Sequence, residues 1–298
     1  MSVQKVANAA KIYKKVMMVP PVHFDVIHKG LNAHMKLSEP VDRIKALKQW
    51  ETLRTTFNNL GLETEICRPV PGLVDMVFSA NSAIVLDNKA LIAKMNAHPR
   101  REESEHFARW FRERGFDVEE LEKIGKAYTF CEGNAEFSPT HDLSSFFFGF
   151  GQRTAESAYE PILDFFDLNK SDVLKVRLVD ERFYHLDVCL APLALGHVIF
   201  YPGAFDEVSV KRINDAVGSR DKAIELTLEE GLQFSCNCVS FISNEGDAVV
   251  VASKFSHRLR NILEELGYKC VEVNYDQFLL SGGSVRCSVV DIALQRDQ

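Results

Sequence analysis

A thiol stands late in the chain, Cys287 in "SGGSVRCSV", behind two glycines that let the backbone turn sharply or come close to a ligand. As a thiolate it is a nucleophile, and its pKa of about 8.5 falls beside a cation or a bound cationic substrate. His185, in "DERFYHLDVCLAPL", changes charge near neutral pH and can serve as general acid and base. Asp187 lies two residues on, so in a strand both side chains would face one side. Two further carboxylates sit in apolar surroundings: Glu132 in "FCEGNAEF" and Asp75 in "LVDMVFSANSAIV", a run that also holds Asn81. Buried carboxylates without partners are costly. Several around one cavity, with no basic cluster among them, call for a cationic ligand, and a planar guanidinium with its fork of donors fits best. Arg153 in "GFGQRTAES" and Arg101 in "HPRREES" are candidates to grip a substrate carboxylate at the cavity mouth. Taken singly, a buried cysteine or a strand histidine is usually a packing residue. The case for chemistry rests on how the residues are placed relative to one another.

That placement follows from a repeat. Residues 41–60 put Val41, Ile44, Leu47, Leu53, Phe57 and Leu60 at three- and four-residue spacings, which predicts a helix with one apolar face. Gly61 ends it, and "LETEIC" alternates like a strand. The same phrase recurs around Gly115 and Gly267, with two further candidates between them in "AYEPILDFFDLNKSDVLKVRLV" and "VKRINDAVGSRDKAIELTL". A second series runs in phase, and its members read as short apolar strands carrying polar residues. Their markers Asp75, Glu132, His185, Asn237 and Cys287 are separated by 57, 53, 52 and 50 residues. Five αβ units bury their sheet edges best by closing a ring, which predicts an α/β fold of the propeller type, five-bladed, with the marker strands converging on a central cavity. No Pro-, Gly- or Ser-rich linker interrupts the series, so residues 1–298 read as a single domain, and "HPRREESEHF" reads as a helix start.

Composition sets the remaining bounds. With 46% hydrophobic residues the chain can bury a substantial core, and a net charge of −7 argues against nucleic acid or an anionic membrane as partner. No apolar run reaches membrane-spanning length and the N-terminus lacks a signal-peptide core, so the expectation is a soluble, cytoplasmic protein acting on a small molecule. Seven scattered cysteines fit thiols in a reducing compartment, and the close pair Cys236 and Cys238 lacks a second pair at zinc spacing. The histidines other than His185 show no ligand spacing, so neither metal nor cofactor is expected. Assembly into a homo-oligomer is left open.

These motifs resemble those of the guanidino-group-modifying enzymes of the pentein (amidinotransferase) superfamily. That group shares a D-x-x-F strand, an E-G-x-x-D turn, a G-x-x-R-[ST] segment, an H-L-D strand and a G-G-x-x-x-C terminus, all in this order. Within it, "DMVFSANSAIV", "DERFYHLDVC", "FYPGAFD" and "PPVHFDV" followed by "LNAHM" are similar to the arginine dihydrolases. The resemblance implies a pentein fold, with Cys287 as nucleophile, His185 as acid and base, and Glu132 and Asp187 as carboxylates near the guanidinium. It further implies that Arg101, Arg153 and Asn32 bind the amino-acid end and that Asp75 and Asn81 shape the guanidino pocket. Deiminases carry aspartate at the position of Asn81, and the asparagine marks the dihydrolases. The turn "EGNAE" departs from E-G-x-G-D at Ala135 and Glu136. The implied reaction converts arginine to ornithine, carbon dioxide and two ammonia, with ornithine released because the chain stops at Gln298. The rival readings are a citrulline-forming deiminase or dimethylarginine dimethylaminohydrolase, and a silent arginine-binding protein.

Overall fold

Each sequence repeat folds into one three-stranded sheet and one helix. The computed structural model describes residues 15–28, 30–126, 128–218 and 222–296. The first blade holds β1 (Lys15–Met18), α1 (Arg43–Leu60) and β2 (Glu63–Ile66). The second holds β3 (Ala83–Leu86), β4 (Lys89–Ile92), α2 (Glu103–Glu113) and β5 (Asp117–Glu120). The third holds β6 (Phe137–Pro139), β7 (Phe146–Phe150), α3 (Tyr159–Phe166) and β8 (Val173–Arg177), and the fourth holds β9 (Leu190–Pro192), β10 (Val198–Phe200), α4 (Glu207–Ala216) and β11 (Ala223–Glu225). The fifth holds β12 (Val239–Ile242), β13 (Ala248–Ala252), α5 (His257–Glu265) and β14 (Tyr268–Glu272), and a final strand β15 spans Val290–Asp291.

In every blade the middle strand pairs antiparallel with the strand before it and parallel with the strand that returns from the helix. The first blade obtains its antiparallel strand from the other end of the chain, where β15 pairs with β1 through Val16 opposite Asp291 and Met17 opposite Val290. The result is a five-bladed αβ propeller whose ring is closed by β15. Among the described residues no helix is long and apolar enough to cross a membrane.

Helix α1 starts where the Asp42 carboxylate accepts the Lys45 amide and stops at Gly61, whose φ of 93° suits a left-handed cap. A left-handed residue closes the equivalent turn in every blade: Gly115, Asp167, Gly218 and Gly267 follow the other four helices. The buried stripe of α1 is Ala46, Trp50, Leu53 and Phe57, rather than the expected face through Ile44 and Leu47, both of which are exposed. Leu53 and Phe57 lie on both faces, and burial of the large Trp50 side chain, contributing about 2–3 kcal/mol, turns the helix away from the smaller Ile44 and Leu47.

The marker segments are not strands, contrary to the expectation. Asp75 and Asn81 lie in consecutive 3₁₀ turns, Val74–Val77 and Ser79–Asn81, and Cys287 lies in another, Arg286–Ser288. Glu132 and His185 are the residues that lead into the turns Gly133–Ala135 and Leu186–Val188. Residues 73–86 are all buried, so the two-residue alternation that separates strand from turn has nothing to act on. The tight turns bring each marker to the axis just before the blade's first strand begins.

Candidate active site

The five turns abut one another around the axis, and an open cleft reaches down to them. Its walls include Asn32, Asp75, Asn81, Arg100, Arg153, Tyr184, His185 and Cys287. Glu132, Glu136 and Asp187 stand behind this lining, fully or almost fully buried. The ring thus gathers residues more than 200 positions apart in sequence. Two glycines below the cleft leave no room for a side chain: a Cβ on Gly282 would lie 2.4 Å from Asn32 Oδ1, and one on Gly283 would lie 2.2 Å from the Phe78 ring.

His185 Nε2 donates to Glu132 Oε2 at 3.0 Å. Burial lowers the imidazole pKa to about 4 against the pull of Glu132, so the ring is neutral at neutral pH. Glu132 also receives Arg153 in two-point fashion, Nε to Oε1 and Nη2 to Oε2, each at 2.8 Å. Burial works to raise its pKa, but Arg153 and then His185 outweigh it and hold the carboxyl well below the usual range. Arg153 was expected at the cavity mouth. It lies on Glu132 instead, with Nη1 donating to the Leu31 carbonyl at 3.0 Å.

Asp187 and His185 meet different partners, with a turn rather than a strand carrying them. Neither oxygen of Asp187 has a hydrogen bond of good geometry, and the carboxylate faces the Cys287 thiol and the Arg286 charge. Burial raises Asp187 to about 7, and burial together with Asp187 pushes the Cys287 thiol well above its ordinary value. The thiol is therefore protonated at neutral pH. Asn237 donates from Nδ2 to Cys287 Sγ at 3.0 Å.

Asn81 and Asp75 occupy the wall beside Glu132. Arg100 Nη1 donates to Asn81 Oδ1 at 2.6 Å, which turns the Asn81 amide nitrogen toward Glu132, 3.5 Å from its carbonyl and from Oε2. Arg100 is itself locked by two bonds to Glu103 and by the carbonyls of Asp75 and Phe78. Asp75 accepts weakly from the Ser281 hydroxyl at 3.5 Å, its second oxygen is without a donor, and burial raises its pKa. Asn32 holds the segment over the cleft by donating to the Ser281 carbonyl at 2.9 Å. Glu136, the departure from the usual turn, accepts the Leu186 amide at 3.1 Å and lies 3.9 Å from His185. Burial raises its pKa well above the ordinary value.

Arg101 is not brought to the cleft. It is exposed, with its guanidinium directed at the carbonyls of Met95 and Asn96. Its neighbour Arg100 is the arginine in the wall, paired with a glutamate three residues on, and that R-x-x-E spacing at a helix start was the available signal. Arg100 and Arg153 bring positive charge to the site from outside the marker turns. Even so, Asp75, Glu103, Glu132, Glu136 and Asp187 outnumber Arg100 and Arg153, while Arg286 is engaged by Asp291.

Residues 26–294 match the family model described as N,N dimethylarginine dimethylhydrolase, eukaryotic. The chain is 30% identical over 282 residues to the bifunctional arginine dihydrolase/ornithine cyclodeaminase ArgZ of Synechocystis, covering 92% of this chain but only 37% of that protein. It is 29% identical to the N(G),N(G)-dimethylarginine dimethylaminohydrolase of Mycobacterium tuberculosis, covering 94% of this chain and 86% of that one. Among solved structures, the N-terminal domain of an asparagine-to-serine variant of ArgZ, covalently bound to a reaction intermediate, superimposes with a TM-score of 0.85 at 29% identity, over 94% of this chain and 98% of that one. The chain belongs to this dimethylarginine dimethylhydrolase family, within the guanidino-modifying hydrolases of pentein fold.

Proposed function

We propose that the protein hydrolyses the guanidino group of L-arginine to ornithine, carbon dioxide and two ammonia, with Cys287 as nucleophile. The observation that carries this reading is the excess of buried carboxylates around a protonated thiol, together with an asparagine amide whose donor edge faces the site. A guanidinium entering beside Asp75 and Asp187 supplies the missing positive charge and lowers the thiol pKa, and its fork matches the geometry in which Glu132 already holds Arg153. Arg153 leaves Glu132 for the substrate carboxylate as the substrate takes its place.

The Cys287 proton then passes to His185, and sulfur attacks the guanidino carbon. His185 returns the proton to one departing nitrogen, which leaves as ammonia, and an amidino-thioether remains. Water, deprotonated by His185, adds to that carbon. In a deiminase the thiolate would leave at this point and citrulline would form. Here the Asn81 amide holds the neutral tetrahedral adduct without adding charge, so a second ammonia leaves in place of the thiolate and a thiocarbamate remains on Cys287. A second water adds, the Cys287 thiolate leaves, and the freed carbamate breaks down to carbon dioxide and ornithine. ArgZ, named as an arginine dihydrolase, supports this outcome.

The second reading is hydrolysis of dimethylarginine to citrulline and dimethylamine, favoured by the family description and by the similarity to the mycobacterial enzyme. Incubating the purified protein with each substrate and counting products separates the two. Two ammonia per ornithine from arginine without citrulline is expected. Citrulline with a single amine product, from either substrate, would replace the first reading with the second.

A further inference from the structure

Four of the five axial markers have roles in the proposed reaction, and the fifth blade's marker, Asn237, has none. It is fully buried in the turn before β12, at the position in the repeat that Asp75, Glu132, His185 and Cys287 occupy in the other blades. Its amide is oriented unambiguously. Oδ1 accepts the backbone N–H of Cys287 at 3.2 Å, which leaves Nδ2 as the atom facing sulfur, 3.0 Å from Sγ. Nδ2 also donates to the Asp187 carbonyl at 3.1 Å, and the Asn237 carbonyl accepts from Arg286 N.

We propose that Asn237 is a catalytic residue: its Nδ2–H donates to Cys287 Sγ and steadies the sulfur as an anion aimed at the guanidino carbon. The inference rests on the reading of Cys287 as nucleophile and does not depend on which guanidino compound is attacked.

The surroundings of sulfur show why a donor is needed there. Asp187 and Tyr184 face it from the turn before β9, Tyr275 from the segment after β14, and His185 across the cleft, while Arg286 beside it is engaged by Asp291. Burial and Asp187 favour the neutral thiol. Besides the backbone near Ser284, the Asn237 amide is the neutral group that favours the thiolate. A short donor to an anion is worth more than one to a neutral atom, so its contribution grows as the charge develops.

The test is the pH dependence of iodoacetamide alkylation at Cys287, followed by mass spectrometry of the peptide that contains it. Asn237→Asp keeps the shape and the acceptor for the Cys287 N–H while replacing the donor with an oxygen. Alkylation in this variant should be at least tenfold slower at pH 7, with the midpoint moved upward by about one pH unit or more. Asn237→Ala, which adds no charge, should move the midpoint in the same direction by less. In the native protein, the side-chain amide resonance of Asn237 should titrate with the Cys287 midpoint, a readout that requires no variant to fold. A moved profile and a titrating resonance support the inference even if arginine proves not to be the substrate. An unmoved profile in a folded variant, or a resonance that ignores thiol ionisation, overturns it even if arginine is turned over.

Discussion

The cleft stores protons that a cationic substrate should expel. Asp187, raised to about 7 by burial, holds its proton at pH 6, and a guanidinium beside it favours the charged form. Binding of arginine to Cys287→Ser should therefore release roughly one proton at pH 6 and progressively less as pH rises past 7. Calorimetry in two buffers of different ionisation enthalpy reads this directly, and a binding enthalpy independent of buffer at pH 6 would sink the expectation. His185 gives the complementary sign. Its pKa in the folded protein is about 4 against 6.5 when exposed, so the unfolded chain binds more protons between these values and stability is lost as pH falls through that window. His185→Gln should flatten the dependence of the urea midpoint on pH between 7 and 5. An equally steep dependence in the variant would show that other groups set it. At this scale the sequence was informative about residue types and less so about partners. Cys287, His185, Glu132, Asp75 and Asn81 were visible because a motif or an apolar context marked them, whereas choosing Arg101 over Arg100 was a choice between adjacent identical residues that only burial distinguishes.

The elements that carry these residues are tight turns packed against one another, and the demands on them are steric. Gly133 has a φ of 62°, and a Cβ there would lie 2.6 Å from the Ala80 carbonyl and 2.9 Å from the Ala83 backbone. Gly133→Ala should destabilise the protein by about 2 kcal/mol or more, because the new methyl meets backbone that cannot yield, and it should also separate Glu132 from Asn81. Chemical denaturation together with turnover checks both consequences, and a variant of native stability would show that the turns have slack. The helix-then-strand phrase was legible because a glycine in the left-handed region punctuated three of the repeats. In the third blade Asp167 fills that place, and in the fourth Gly218 follows a less regular helix, so those units were found by interval. The marker turns were misread as strands because a wholly buried run has no periodicity to report.

At the scale of the whole molecule, the five-unit repeat predicted the ring, but its closure could not be read from sequence, since β15 is two residues long. That short strand is nevertheless buried, as are Val289 and Ile292 on either side of it. A chain ended at Ser288 keeps Cys287 but loses four buried aliphatic side chains, Val289, Val290, Ile292 and Leu294, and the pairing with β1. It should lose on the order of 5 kcal/mol. Urea unfolding followed by the fluorescence of Trp50 and Trp110 gives the comparison, and an unchanged midpoint would mean that closure adds nothing.

The seam between β1 and β15 also orders events during synthesis. The first blade is the earliest to leave the ribosome, yet it waits for the described strand that is made last, and Cys287 emerges only three residues ahead of that strand. A growing chain accordingly has neither a closed ring nor an assembled cleft until almost all the described residues have been translated. Messages cut short upstream would yield fragments that lack both Cys287 and the assembled cleft.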